Sequence, residues 1–179
     1  MARFSKPKFS DLLDNYKLLS STVHECRLID PTRPETSNTC AARMSEALVL
    51  ANKLVKNRED ISALGRDKGT GRGRGTGVEY LLGKFGYLSF GLLCPHGIAR
   101  GAQALGAFLA RNWGARNSGW TAQASPTSSP EGIEGRHGVI LYARIPTYSG
   151  EGHIDLWNGT GPVGQQYWNS QTIWFWDLA

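Results

Sequence analysis

The fold class is decided by one stretch of sequence, GHIDLWNG, residues 152–159. In this stretch His153, Asp155 and Trp157 fall on one face of a β-strand, and the apolar residues between them fall on the other. Because an apolar face is typical of a core, we expect His153 to face a cleft or solvent. The Asn158-Gly159 dipeptide is a strong turn signal that ends the strand.

Working outward from this strand, the sequence predicts an α+β fold, with N-terminal helices packed on a C-terminal antiparallel sheet. Apolar runs predict two further strands, at residues 139–145 and 172–178. Helical spacing of apolar residues predicts helices after the caps Ser10 and Asn38-Thr39, between Thr76 and Gly86, and over about residues 100–113. Residues 113–138 are rich in Gly, Ser and Pro, which predicts a long loop. The 179 residues are expected to form a single domain, 1–179.

Composition and charge exclude few function classes. The net charge of +5 suits an anionic partner, whether nucleic acid, a membrane surface or a cell-wall polymer, and does not choose among them. The Gly-Arg-rich stretch at 65–77 lacks the Gly-Lys-Ser/Thr of a phosphate loop, so a solvated loop is favoured. No signal peptide or membrane-spanning stretch is evident, which predicts a cytoplasmic chain or one exported without an N-terminal signal.

Cys40 is the first candidate for chemistry. It begins the predicted second helix, where the backbone N–H groups and the helix dipole favour a thiolate, the nucleophilic form of cysteine. The alternative to a nucleophile is that Cys40 is only a small buried residue at the start of a helix. Three cysteines leave at least one free thiol, and a Cys26–Cys94 disulfide would leave Cys40 as that thiol. No cysteine spacing predicts a zinc site.

His153 is the second candidate, as the base that takes the proton from Cys40. A histidine on a strand opposite a thiolate at a helix start is the papain arrangement, although an ordinary surface histidine is the simpler alternative for this residue alone. A base also needs a partner on its other ring nitrogen. Asp155 lies on the same face of the strand, and Gln165 or Gln166 on the following segment are the alternatives.

Two motifs resemble those of a known family. Asn38-Thr39-Cys40-Ala41-Ala42-Arg43-Met44-Ser45, with Ala47-Leu48, resembles the cysteine motif of the fourth family of type VI secretion amidase effectors, and residues 152–159 resemble its histidine motif. Their order and spacing also fit the family. Residues 77–86 and 138–142 look similar to the family, whereas 94–135 does not align convincingly.

The resemblance implies an NlpC/P60-like fold with papain-type chemistry and no cofactor or metal. The implied activity is hydrolysis of the amide between D-isoglutamate and meso-diaminopimelate in peptidoglycan stem peptides, with Cys40 as nucleophile and His153 as base. The family's third residue is typically an Asp after the histidine motif, and residues 160–166 hold no acid. Asp155 is therefore the first candidate and Gln165 the second. Asn38, Arg43 and Trp157 are candidates for substrate binding.

The resemblance also implies partners and a place of action. Such toxins are made in the cytoplasm without a signal peptide and injected by type VI secretion machinery into a rival's periplasm. A cognate immunity protein protects the producer, whereas nucleic-acid binding and membrane insertion are not expected. The rival interpretations are a transpeptidase, acyltransferase or deamidase on the same scaffold, or a catalytically inactive module that binds cell wall or nucleic acid through the basic loop and tryptophans.

Overall fold

The computed structural model describes residues 2–18, 40–61, 81–87, 98–114, 118–121, 132–148, 150 and 152–179. The elements used below are helices α1 (Phe9–Leu18), α2 (Cys40–Ala51) and α3 (Ala102–Trp113), a 3₁₀ helix (Leu82–Phe85), and strands β1 (Ser118–Thr121), β2 (Gly138–Ala143), β3 (Gly152–Trp157) and β4 (Thr172–Asp177). Asn38, Cys26, Cys94 and the 65–77 loop lie outside the described residues.

The helices follow the predicted pattern, with shifted ends. Helix α1 begins at Phe9, so Ser10 lies inside its first turn and is not its cap. In the segment before Gly86, the described residues form only the short 3₁₀ helix, which Gly86 ends in the left-handed region at φ 82°. Helix α3 begins two residues later than predicted. None of the helices in the described ranges is long and apolar enough to span a membrane.

The strands form one antiparallel sheet in the order β1-β4-β2-β3. Strand β2 ends at Ala143, earlier than predicted, because Arg144 has a left-handed φ of 54° and turns the chain out of the sheet. Strand β1 lies inside the predicted 113–138 loop, which corrects that prediction. Its four residues are too few to show a two-residue period, and pairing with β4 defines it.

Each face of the sheet carries its own core. On one face α2 and α3 pack against β2 and β3 through apolar residues that include Leu48, Leu105, Leu141, Ile154 and Leu156. On the other face, side chains from the connecting segments cover the sheet: Ile133, Ile145 and Trp168 pack on Ile140, Tyr142, Trp157, Ile173 and Phe175. Every residue of β3 is therefore buried. The prediction that one face of β3 is open is wrong.

Two contacts position the helices. Gly106 of α3 lies so close to Leu141 that an added Cβ would stand 2.4 Å from its Cδ2 atom, which holds α3 close to the sheet. The Ser45 hydroxyl of α2 donates to the Ala42 carbonyl and accepts the N–H of Ala99, a hydrogen bond of 3.0 Å that ties α2 to the segment before α3. Helix α2 packs directly on the edge strand β3.

Candidate active site

Cys40 is the first residue of α2 and meets the beginning of β3. Its thiol is buried, and its Sγ atom lies 3.9 Å from the carbonyl oxygen of Gly152. The N–H groups of a first helical turn lack partners within the helix, and the helix dipole is positive there. The first turn of α2 contains no acidic residue that would oppose this field. The sulfur therefore lies where backbone N–H groups and the positive end of the helix dipole meet.

Gly152 fits tightly against strand β2. Its φ of 145° belongs to the region that favours glycine, and an added Cβ would stand 2.5 Å from the carbonyl oxygen of Tyr142. A larger residue would therefore disturb the β2–β3 pairing at the point where His153 pairs with Tyr142. The glycine thus supports the register that positions His153.

His153 contacts one predicted site residue and is influenced by another. Its Nε2 atom lies 3.3 Å from Oδ2 of Asp155. The Sγ atom of Cys40 lies 3.9 Å from the carbonyl oxygen of the preceding residue, Gly152, and the thiol raises the pKa of His153. Because Nε2 faces Asp155, Nδ1 is the ring nitrogen left for the sulfur. The structure thus brings Cys40, His153 and Asp155 together in that order.

The protonation of His153 reflects these contacts. Burial by itself lowers the pKa of His153, because an imidazolium is poorly solvated inside the protein. The hydrogen bonds to Asp155 and Cys40, together with their negative charges, outweigh that effect and raise the pKa from 6.5 to about 9. His153 is therefore mostly imidazolium at neutral pH, which suits an ion pair with a thiolate.

Asp155 is held by backbone donors from two directions. It is fully buried, and its Oδ1 accepts the N–H of Leu156 at 2.8 Å. Its Oδ2 accepts the N–H groups of Gly164 and Gln165 at 2.7 Å and 3.0 Å. A Cβ on Gly164 would stand 2.6 Å from Oδ2, so only glycine allows this approach without a shift. These contacts fix the carboxylate in front of the imidazole.

Gln165 contacts the site through its backbone N–H and not through its side chain. Its side-chain Oε1 accepts a hydrogen bond from the Tyr167 hydroxyl on the exposed surface, while its N–H donates to Asp155. Between the two candidates for the third residue, Asp155 is the one whose side chain contacts His153. The sequence contained no signal for the roles of the Gly164 and Gln165 amides, because backbone donors have no residue signature.

The predicted substrate-binding residues have different surroundings. Asn38 lies outside the described residues. The Arg43 guanidinium lies 4.9 Å from the centre of the Tyr16 ring, so it packs between helices α2 and α1. Trp157 is 1% exposed and donates its indole N–H to the Ile133 carbonyl at 2.9 Å. The structure therefore corrects the prediction for Trp157, which lies in the second core because both faces of β3 are covered.

Aromatic rings close the remaining side of His153. The Tyr167 ring meets the imidazole edge-on at a centroid distance of 5.1 Å, and Tyr148 packs on Tyr167 at 5.4 Å. Both tyrosines are half-buried. They limit the access of water to the His153–Asp155 hydrogen bond, which is stronger in a less polar environment. Sequence reasoning missed Tyr167 because no periodic pattern links it to His153.

Comparisons with known proteins point to one family. The model of the family described as "Type VI secretion system (T6SS), amidase effector protein 4" matches residues 91–176. Over these residues the chain is similar to this amidase effector family. The matched range contains β3 with His153 and Asp155, and it also spans residues 94–135, which the motifs alone left unaligned. No curated protein matches the chain significantly.

Solved structures show the same fold over the whole length. The chain is 17% identical to the type VI effector Tae4 from Enterobacter cloacae, with a TM-score of 0.61 and full coverage of both chains. It is 13% identical to a structure titled as the effector–immunity complex Tae4–Tai4 from Salmonella Typhimurium, with a TM-score of 0.60 and coverage of 98% and 100%. The predicted α+β, papain-like NlpC/P60 fold is confirmed.

Proposed function

We propose that this amidase effector hydrolyses the D-isoglutamyl–meso-diaminopimelate amide of peptidoglycan stem peptides by cysteine nucleophilic catalysis. One observation carries the proposal: a buried thiol at a helix start lies 3.9 Å from the carbonyl oxygen of Gly152, and the next residue, His153, contacts a buried carboxylate. The match to the family model supports an amidase reaction. The resemblance of the two motifs supports the particular bond.

The mechanism begins with the Cys40–His153 ion pair. The Cys40 thiolate attacks the isoglutamyl carbonyl carbon, and the backbone N–H of Cys40, which has no partner within α2, stabilises the oxyanion that forms. The His153 imidazolium then protonates the leaving amine of diaminopimelate as the amide C–N bond breaks, which leaves a thioester on Cys40. Neutral His153 next takes a proton from water, whose oxygen attacks the thioester and releases the acid.

Asp155 acts in this mechanism through His153. Its carboxylate contacts Nε2, so it keeps the opposite ring nitrogen directed at the sulfur and stabilises the imidazolium. The backbone amides of Gly164 and Gln165 satisfy the carboxylate, so it stays an acceptor. Because Asp155 is fully buried, it does not act on substrate or water itself.

Delivery and protection complete the proposal. Members of the family are effectors of the type VI secretion system, so we infer that the chain is injected into the periplasm of a neighbouring bacterium. Two matching structures are titled as complexes of a Tae4 effector with a Tai4 immunity protein. A protein of the Tai4 kind is therefore the proposed partner in the producing cell, where it would block access to Cys40.

The test is incubation of the purified protein with defined muropeptides, followed by mass spectrometry. Hydrolysis splits the stem peptide at the isoglutamyl bond, and Cys40→Ala should abolish the split while the protein keeps its thermal unfolding transition. Full activity of Cys40→Ala would refute the nucleophile. An intact stem peptide with an altered mass would instead indicate a deamidase, and a cross-linked product would indicate a transpeptidase.

A further inference from the structure

A short segment after β3, residues 164–170, touches both members of the His153–Asp155 pair. Near its start, the backbone N–H of Gln165 donates to Oδ2 of Asp155 at 3.0 Å. Two residues further on, the ring of Tyr167 meets the His153 imidazole at a centroid distance of 5.1 Å, with an angle of 62° between the ring planes. The same segment therefore fixes the carboxylate with its backbone and contacts the imidazole with a side chain.

Several contacts keep Tyr167 itself in place. Its carbonyl oxygen accepts the N–H of Ser170, a fully buried residue, at 3.0 Å. Its ring packs edge-on against Tyr148 and Tyr142 at centroid distances of 5.4 Å and 5.9 Å. Its hydroxyl donates to Oε1 of Gln165. Because that last hydrogen bond is exposed and water competes for it, the ring contacts contribute more to the position of Tyr167 than the hydroxyl does.

The turn between β2 and β3 brings Tyr148 to this site through a strained backbone. Arg144 and Thr147 have left-handed φ values of 54° and 63°. A β-branched residue such as Thr147 rarely adopts that conformation, which persists only where the surrounding structure requires it. The N–H of Tyr148 donates to the Ile145 carbonyl at 3.3 Å, so the turn is closed on itself. This turn holds the ring of Tyr148 against Tyr167.

The His153 imidazole contacts two tyrosine rings that are inclined to it differently. Tyr142 pairs with His153 across β2 and β3, and its ring is nearly parallel to the imidazole, at 24° and 6.1 Å. The Tyr167 ring is steeply inclined to it. The last side-chain torsion of a histidine is broad by itself, and its rotation would carry Nε2 away from Oδ2 of Asp155, now at 3.3 Å. The two rings together restrict this rotation.

From this arrangement we propose that Tyr167 is a positioning residue, whose ring holds the His153 imidazole in the orientation that contacts Asp155. Tyr142 and Asp155 belong to the sheet itself, so Tyr167 is the ring that the segment after β3 adds. The proposal rests on the proposed function for the catalytic roles of Cys40 and His153. It assigns the effect to the ring of Tyr167 and not to its hydroxyl, and to turnover and not to substrate affinity.

The experiment compares Tyr167→Leu, which removes the ring, with Tyr167→Phe, which removes only the hydroxyl. Tyr167→Leu should lower kcat for muropeptide hydrolysis about tenfold, with KM changed less than about twofold. Tenfold in rate corresponds to about 1.4 kcal/mol, which is within the range for one aromatic contact. Tyr167→Phe should keep kcat within about threefold of the wild-type value, because the exposed hydrogen bond to Gln165 contributes little.

Phe85→Leu is the matched control. Phe85 is also half-buried, and its ring meets that of Phe4 edge-on at 5.3 Å, in the core on the other face of the sheet from Tyr167. Its replacement also removes a ring from an edge-on pair, while kcat should stay near the wild-type value. Thermal unfolding checks that each variant folds. If Tyr167→Leu does not fold, Tyr167→Met takes its place, because the flexible Met side chain fills irregular space.

Four kinetic results would overturn the proposal. The first is an unchanged kcat in Tyr167→Leu. The second is a Tyr167→Phe variant as slow as Tyr167→Leu, because the hydroxyl would then be the group that acts. The third is a raised KM with an unchanged kcat, which would make Tyr167 a substrate-binding residue. The fourth is an equal loss of kcat in Phe85→Leu, because the loss would then follow from removing any half-buried ring.

A second measurement reads the orientation of the imidazole and does not depend on turnover. In NMR spectra of the wild-type protein, with signals assigned through His153→Asn and Tyr142→Phe, the His153 ring protons should show nuclear Overhauser contacts to the Tyr142 ring. Tyr167→Leu should weaken these contacts, because the imidazole then samples other orientations. Tyr167→Phe and Phe85→Leu should keep them. Unchanged contacts in Tyr167→Leu would overturn the proposal.

The failure of the inference and that of the proposed function are distinguishable. If the wild-type protein cleaves no muropeptide, the proposed function fails, while the NMR contacts of His153 still test its link to Tyr167. If the wild-type protein is active and Tyr167→Leu changes neither kcat nor these contacts, the inference fails alone.

Discussion

The charge of His153 should make the stability of the protein depend on pH. The folded protein raises the pKa of His153 from 6.5 to about 9, and His153 is 8% exposed, so solvent screens its contacts little. The difference between the two values corresponds to about 3 kcal/mol of unfolding free energy. Because the raised pKa favours the protonated form in the folded state, this contribution is fully present below pH 6.5. It is lost as the pH rises through about 9.

Urea unfolding at a series of pH values from 6 to 9.5 measures this contribution. The wild-type protein should lose most of the ~3 kcal/mol over that range, and His153→Asn should show a much flatter dependence. Cys40→Ala should keep part of the slope, because the hydrogen bond and charge of Asp155 remain. His137, which is exposed and whose ring centre lies 4.7 Å from that of Phe9, is the control, and its replacement should leave the slope in place. Equal slopes in wild-type protein and His153→Asn would refute the reasoning.

Two further predictions concern the support of His153. Asp155→Asn should lower kcat by roughly a hundredfold or more, as expected when the group that orients a catalytic histidine is lost. Gln165→Ala should change kcat less than about threefold, because the backbone donor of Gln165 remains. If a muropeptide assay gave the opposite ranking, Gln165 would be the third catalytic residue. Gly164→Ala should cost about 1–3 kcal/mol of stability and reduce activity, because its Cβ would meet Oδ2 of Asp155 at 2.6 Å. Gly161→Ala is its control, since nothing lies within 4 Å of the added Cβ, and equal urea midpoints for the two variants would contradict the contact.

Local patterns predicted the parts of the site that depend on local geometry. The bounds of β3 agree with the alternation in residues 152–157, and Cys40 is the first residue of α2, as the caps before it indicated. The short step from His153 to Asp155 along one strand face is also local. Each of these features follows from the residue pattern of a single helix or strand, and that pattern can be read directly from the sequence.

Features that depend on distant contacts escaped prediction. The second core covers the His153 face of β3 with residues such as Ile133 and Trp168, and nothing in the pattern of β3 itself indicates that cover. Strand β1 escaped because four residues cannot establish a period.

The stretch after the histidine motif shows how the third role is filled in this chain. The family resemblance implies an acid there, and residues 160–166 contain none. In the structure the same stretch lies against Asp155 and contributes the N–H groups of Gly164 and Gln165, which both donate to that carboxylate. An acid in β3 lies too close along the strand to orient the imidazole firmly by itself, because side chains two residues apart point in parallel. The two amides compensate by fixing the carboxylate from outside the strand, and Gly164 is the residue whose size permits it. We therefore expect the acid in the strand and the glycine after the motif to depend on each other, so that the cost of Gly164→Ala should largely disappear once Asp155 is replaced by a smaller residue.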